Sequence, residues 1–533
     1  MNLPDLPQGL RTRCGVCLRL VLISVLMLLE PARVAGARAA APSEDIQLSA
    51  GAPVTSLPHF WETMFGSGRA ILSLRESYRQ DLRAVKAATG FRYVRFHNIL
   101  HDEVGVVYRE HEHLRYDFSY VDQIYDGLLA NDVRPFVELS FMPTELSSNA
   151  ASFQAFWYHP NVAPPRRYAD WDALIKALVA HLVERYGLDE VAQWYFEVWN
   201  EPNLDFWAGV PKQRSYFLLY AHTALAIKSI SPRLRVGGPA TAQAAWIPEF
   251  LEFTRRRAVP VDFVSSHVYG NDPPKPVFGD TVPVSQERFV CRAVRKLHDE
   301  ILASSRPDLP LIISEYNASY KNETSVTDSV YMGPWLASTI AQCDGLAASM
   351  SYWTFSDVFE EQGVPRSPFY GGFGLVAEQG ISKPAFNAFA LLHKLGEQRI
   401  SVDSDSVLAT RRGDGTLAIA LWNYASPVSA PAGSRMLRAD PVETGSCAAK
   451  QFHLVVAGID PTAPVQVWAL DAQHGNAVAA FEAMGRPAFP SREQLAQLRR
   501  SAALPPPDLQ RFERGELRIS VPCDGLVLVE TRT

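Results

Sequence analysis

Two apolar runs in this sequence end in a glutamate: Trp194-Tyr195-Phe196-Glu197-Val198-Trp199-Asn200-Glu201-Pro202 and Leu311-Ile312-Ile313-Ser314-Glu315. A glutamate that follows an apolar strand is taken out of water and persists there only if it is paired or used. Taken singly, each could be a buried ion-pair partner. Together they match a chemistry that needs two carboxyls: one protonates a glycosidic leaving oxygen, while the other attacks the sugar or activates water. The acid needs an apolar or negatively charged setting that raises its pKa, and the nucleophile needs donors that keep it ionised. Glu201, close to Trp199, suits the first role. Glu315 suits the second if a donor reaches it, and Tyr269 in Ser265-Ser266-His267-Val268-Tyr269 is one strand away.

Such a pair must be held at one mouth by a rigid frame. Eight short runs rich in Val, Ile, Phe and Tyr alternate with longer stretches of helical periodicity: 60–66, 93–97, 135–141, 195–201, 234–238, 263–267, 311–315 and 349–354. Repeated strand–helix units in that number predict a (β/α)8 TIM barrel over residues 60–395, with its site at the C-terminal strand ends. In the segment from Trp171 to Tyr186, apolar residues including Leu174, Ile175, Leu178 and Leu182 fall on one face, the pattern of an outer barrel helix. Beyond Leu395 the pattern changes to short alternating strands broken by Gly, Pro and Asp, which predicts a β-sandwich over 396–533. Residues 40–59 contain nothing helical and are expected to lend that sandwich a strand.

An ordered series of segments resembles glycoside hydrolase family 39, the family of β-xylosidases and α-L-iduronidase. It includes Gly66-Ser67-Gly68-Arg69-Ala70, Phe91-Arg92-Tyr93-Val94-Arg95-Phe96-His97, Trp199-Asn200-Glu201-Pro202, Glu315-Tyr316-Asn317-Ala318-Ser319-Tyr320 and the stretch from Tyr352 to Glu361. An Asn-Glu-Pro triplet alone is shared by many clan A glycosidases, whereas the ordered series is specific. The resemblance implies retention of anomeric configuration, with Glu201 as acid/base and Glu315 as nucleophile. It also implies that Asn200 bonds the sugar 2-hydroxyl and that His97, His267, Tyr269, Trp353 and Glu361 line the subsite of the cleaved sugar. Glu360 and Glu361 are adjacent, so one of the two is expected to point away from the site. Asn98 stands where the xylosidase pattern has glycine, and Tyr370 where it has histidine. The expected substrate is a β-D-xyloside, cut from the non-reducing end of a short xylo-oligosaccharide. His267 is followed by Val268, Tyr269 and Gly270, with no Lys or Arg before Lys275 to meet a uronate. The competing readings are an α-L-iduronidase, an α-L-arabinosidase and a catalytically silent sugar-binding protein.

The chain has 533 residues, 51 Lys plus Arg against 57 Asp plus Glu, and no long basic block, so nucleic acid is not an expected partner. Two carboxyls and water suffice for the chemistry, and no metal or organic cofactor is expected. Arg11, Arg13 and Arg19 precede an apolar run from Leu20 to Leu29, and the triplet Ala37-Arg38-Ala39 follows. This predicts a signal peptide over residues 1–39, hence a secreted or periplasmic protein with no membrane attachment after cleavage. Cys14 and Cys17 would leave with it, and Cys291, Cys343, Cys447 and Cys523 would meet an oxidising compartment. Cys447 and Cys523 could pair, and buried free thiols are at least as good a reading.

Overall fold

A computed structural model of the chain describes residues 42–424 and 447–532. The signal peptide expected over residues 1–39 lies outside the described residues. All eight apolar runs contain a strand of one closed parallel barrel, in the order Met64–Gly66, Tyr93–Phe96, Arg134–Leu139, Tyr195–Val198, Arg235–Thr241, Phe263–Tyr269, Leu311–Asn317 and Ser349–Tyr352. The fourth strand ends three residues before Glu201, whereas the seventh runs two residues past Glu315. Glu315 is therefore fixed by strand pairing, opposite His267, and not at a strand tip as the run boundaries suggested.

The interior of the barrel is layered. Met64, Phe136, Phe263 and Ile312, from strands one, three, six and seven, form an apolar floor. Charged groups sit above that floor. Outside, helix Tyr168–Tyr186 buries Trp171, Leu174, Ile175, Leu178, Val179 and Leu182 against the strands, as its periodicity requires. Helix Glu76–Thr89 stops at Gly90, whose left-handed φ of 68° is the usual glycine C-cap.

After the barrel, a seven-stranded antiparallel sheet and a three-stranded sheet pack face to face around Ile46, Phe452, Leu454, Ile419 and Val529. Ser43–Ser49 joins the small sheet beside Lys450–Ala457, and Val54–Ser56 joins the edge of the large one. The outer face of the large sheet, with Ala418, Ala420, Trp422 and Leu528, merges into the barrel core. The described residues accordingly form one compact unit.

The sandwich reading missed two helices, Val478–Ala483 and Arg492–Ala502. Ser491 and Gln494 form a capping box at the second, and Leu498 and Ala502 pack with Phe481, Phe369 and Ile381. This inserted pair thus supports the loop that follows the eighth barrel strand. Among the described residues, no helix is long and apolar enough to cross a membrane.

The free-thiol reading is overturned, because both cysteine pairs close. Cys291–Cys343 joins helix Gln286–Leu302 to helix Met332–Cys343, and Cys447–Cys523 closes a loop in the sandwich. Cross-linking residues 52 positions apart restricts the unfolded chain. The double substitution Cys291→Ser, Cys343→Ser should lower unfolding free energy by ~2–4 kcal/mol in denaturant titration, with hydrolysis at 25 °C retained.

Candidate active site

Arg95 lies on the second barrel strand with its guanidinium fully buried. Its Nε donates to Glu197 Oε2 at 2.6 Å, Nη1 to Glu315 Oε1 at 2.7 Å, and Nη2 to the amide oxygen of Asn200 at 3.0 Å. Nη2 also stands 2.8 Å from Glu138 Oε2. Three buried carboxylates and an amide from strands three, four and seven are thus gathered on one cation. Burial opposes the charge on Arg95, but Glu138, Glu197 and Glu315 outweigh it and hold the group more firmly protonated than usual. Burial likewise would raise Glu138, yet Arg95 and His97 bring it below its ordinary value.

Glu201 and Glu315 face one another above this layer, with ligand-capable oxygens within 4.8 Å. That spacing belongs with the roughly 5–5.5 Å of retaining enzymes and not with the wider gap that inverting enzymes leave for water. Glu315 Oε2 accepts from the Tyr269 hydroxyl at 2.7 Å, while its Oε1 is held by Arg95. Glu201 Oε1 has the Nδ1 of His267 at 2.9 Å. Burial pushes Glu201 well above the carboxylate range, and the charges of Glu315 and Asp272 add to the effect. Glu315 is also raised by burial, but Arg95, His97 and the Tyr269 hydroxyl oppose that push while Glu201 has Glu315 and Asp272 adding to its own, so the proton of the pair rests on Glu201. His267 is kept neutral by its burial and by the nearby Arg95 and His97. Both Glu315 oxygens are engaged by protein donors, and the guanidinium beside them opposes a second cation there.

The cavity in front of the pair has a volume of about 350 Å³. Seven of the eight expected site residues reach its wall: His97, Asn200, Glu201, Tyr269, Glu315, Trp353 and Glu361. His267 does not. It is fully buried behind Glu201 and acts on the site through that carboxyl. His97 Nδ1 is 2.7 Å from Glu138, which leaves its Nε2 toward Glu315 and Glu361 at 3.9 Å. The adjacent glutamates part as expected: Glu360 turns away to Arg69 and Arg75, while Glu361 faces the cavity and is pushed up by burial to about 8.

Backbone constraints set the wall. Trp353 packs so tightly on strand one that a Cβ on Gly66 would come within 2.2 Å of its ring. Asn98 has φ 76°, a left-handed conformation natural to glycine and tolerated by asparagine, which explains the departure at that position. Sequence reasoning assigned no role to Arg95, Glu138, Glu197 or Asp272. Alternation placed Arg95 and Glu197 inside the barrel, and that was the available signal. Asp272 accepts from the Tyr269 backbone N–H at 2.8 Å, is pushed up by burial to about 7, and lies on a loop without any pattern.

A closed barrel with two buried, closely opposed carboxyls on strands four and seven defines a glycoside hydrolase. The family model for glycosyl hydrolases family 39 matches residues 44–511, and the chain belongs to that family. It is 40% identical over 453 residues to a beta-xylosidase of Geobacillus stearothermophilus, covering 82% of this chain and 85% of that one. A monomeric beta-xylosidase from Caulobacter crescentus CB15 superposes with a TM-score of 0.82 at 35% identity, covering 92% and 99%. The alpha-L-iduronidase of Mus musculus is more distant, 23% identical over 77% of this chain and 67% of its own length.

Removing the shared cation should be costly. Arg95→Met leaves three buried carboxylates without their shared cation and should destabilise the fold by ~3–5 kcal/mol in denaturant titration. The loss should shrink at acidic pH, where those carboxylates protonate.

Proposed function

We propose that the chain is a retaining β-D-xylosidase that releases xylose from the non-reducing ends of short xylo-oligosaccharides. The observation that carries this reading is the make-up of the cavity wall, rich in carboxyl groups and without lysine or arginine among its described residues. Glu201, Asp272, Glu315 and Glu361 line it, and among the described lining residues there is no lysine or arginine. A uronic acid would bring a further carboxylate into this setting without a cation, at a cost of several kcal/mol. A neutral pentose incurs none of that cost. Arg95 lies beneath the wall with its donors committed to protein partners. The beta-xylosidases among the relatives support the same reading.

In the first step Glu315 attacks the anomeric carbon while Glu201 gives its proton to the leaving oxygen, and a covalent glycosyl-enzyme forms. Glu201, now a carboxylate, takes a proton from the incoming water, whose oxygen displaces Glu315 and returns the configuration to that of the substrate. His267 holds the Glu201 carboxyl in place without competing for its proton, because the ring is kept neutral. Arg95 and Tyr269 keep Glu315 ionised and aimed. Asn200, its carbonyl held by Arg95, presents its NH2 group to the sugar 2-hydroxyl. Trp353, Phe373 and Phe206 supply apolar wall for the ring, and Glu361 accepts from hydroxyls at the closed end.

The basic amino terminus followed by an apolar run, together with two disulfides, supports export to an oxidising compartment, secreted or periplasmic.

The glutamates should be separable. Glu315→Ala should lose turnover on every aryl glycoside. Glu201→Ala should still form the glycosyl-enzyme from substrates with activated leaving groups and should be accelerated by azide with retention of configuration. An inverted azide product from Glu201→Ala would exchange the two roles. Glu201 must be protonated to act and its pKa is raised, so kcat/KM should hold up to that pKa and fall as pH rises through it. Glu201→Ala should lack this basic limb on activated substrates.

Specificity is checked by kcat/KM on aryl β-D-xyloside, α-L-arabinoside and α-L-iduronide. The xyloside should lead, and the iduronide should fall behind by a factor of about 100 or more, the equivalent of ~3 kcal/mol. Preference for the iduronide would overturn the xylosidase reading. No release from any of the three would favour a silent sugar-binding protein.

A further inference from the structure

The opposite end of the barrel carries a second convergence of titratable groups. Below the apolar floor lies a cavity of about 450 Å³ whose wall includes His59, Glu62, Thr63 and Arg92. His59 precedes the first barrel strand, and His393 follows helix Pro384–Leu392, where the chain leaves the barrel. The Nδ1 atoms of His59 and His393 stand 2.6 and 2.8 Å from the same oxygen, Oε1 of Glu62. Ligand-capable atoms of the three residues lie within 4.8 Å of one another. The His59 ring is stacked on Trp61 at a centroid distance of 4.4 Å, which fixes its orientation.

Two imidazoles donating to one carboxylate oxygen explain only part of this arrangement. Glu62 is 5% exposed, and its Oε2 is buried without a hydrogen-bond partner. A buried carboxylate oxygen left without a partner is unfavourable, and an ion would relieve it. Two histidines and a carboxylate are a donor set that zinc takes, with bonds of roughly 2.0–2.2 Å and a fourth position for water. Tetrahedral ligands at such distances are about 3.3 Å apart, so the His59 and His393 nitrogens need to move from Oε1 by about 0.7 and about 0.5 Å. The adjacent cation, Lys394, is drawn aside to Glu530 at 3.8 Å and over the Trp468 ring.

We propose that His59, Glu62 and His393 form a zinc site that ties the entry of the chain into the barrel to its exit. Glu62 and His393 are 331 residues apart, so the ion closes the barrel ends much as a cross-link would. The site lies across the floor from the catalytic cavity and contributes to stability, not to turnover.

The test uses the full chain stripped with a chelator, titrated with zinc chloride by calorimetry, followed by thermal unfolding and by anomalous scattering at the zinc edge in crystals. One equivalent should bind at micromolar zinc, raise Tm in a concentration-dependent way and give a peak between the three side chains. Glu62→Gln should weaken binding by more than about tenfold, and His393→Ala, whose ring is partly exposed, should do the same while leaving aryl glycoside hydrolysis unchanged. Glu201, His267 and Glu315 also converge, and zinc bound there would inhibit hydrolysis and persist in His393→Ala. That result, or no binding to the unsubstituted chain at micromolar zinc, would overturn the proposal.

Discussion

The structure depends above all on one buried guanidinium. Three carboxylates in a barrel interior cannot all remain ionised without a cation among them, since each would face both desolvation and the repulsion of the others. Arg95 supplies that cation, and its planar fork of donors fixes where each partner lies. Glu315 is oriented by Arg95, which holds one of its oxygens and opposes the upward push of burial. Glu201, outside that grasp, feels burial and the charge of Glu315 and so keeps its proton. Two glutamates with the same side chain thus acquire opposite protonation from their neighbours.

The histidines divide in the same manner. Burial works against charge on both, yet Glu138 beside His97 raises that ring above its ordinary value, whereas His267 has Arg95 and His97 for neighbours and is driven neutral. His97, raised by Glu138, stands near Glu315, while a neutral His267 can hold Glu201 without taking its proton. The polar layer is therefore a graded field, more positive under the nucleophile than under the acid.

Support for this layer comes from beyond the barrel strands. The loop after the eighth strand carries Trp353, Glu361 and Phe373, and it is braced by the buried Lys383, which meets Asp328 at 2.6 Å, Asp357 at 3.3 Å and the carbonyl of Gly372 at 2.6 Å. The helices inserted in the sandwich region pack against the same loop. The sandwich is thus joined to the wall of the site as well as to the barrel's outer surface.

The barrel was legible in the chain, because eight fully buried strands must be written as short apolar runs, and so were Glu201 and Glu315, because a glutamate at the end of such a run is out of place unless used. The family motif also marked Glu361, and not Glu360, as the residue that faces the cavity. What surrounds these residues is set by contacts between distant strands. The partners of Arg95 come from three other strands, and nothing local in the chain records which carboxylates will share a cation. His267 reads as a wall residue by its place in the strand, but the register of strands six and seven sets it behind Glu201. The Cys291–Cys343 disulfide escaped for a like reason, since it joins segments far apart in the chain, whereas the helix Arg492–Ala502 left a local mark in its Ser491/Gln494 capping box that the strand reading passed over.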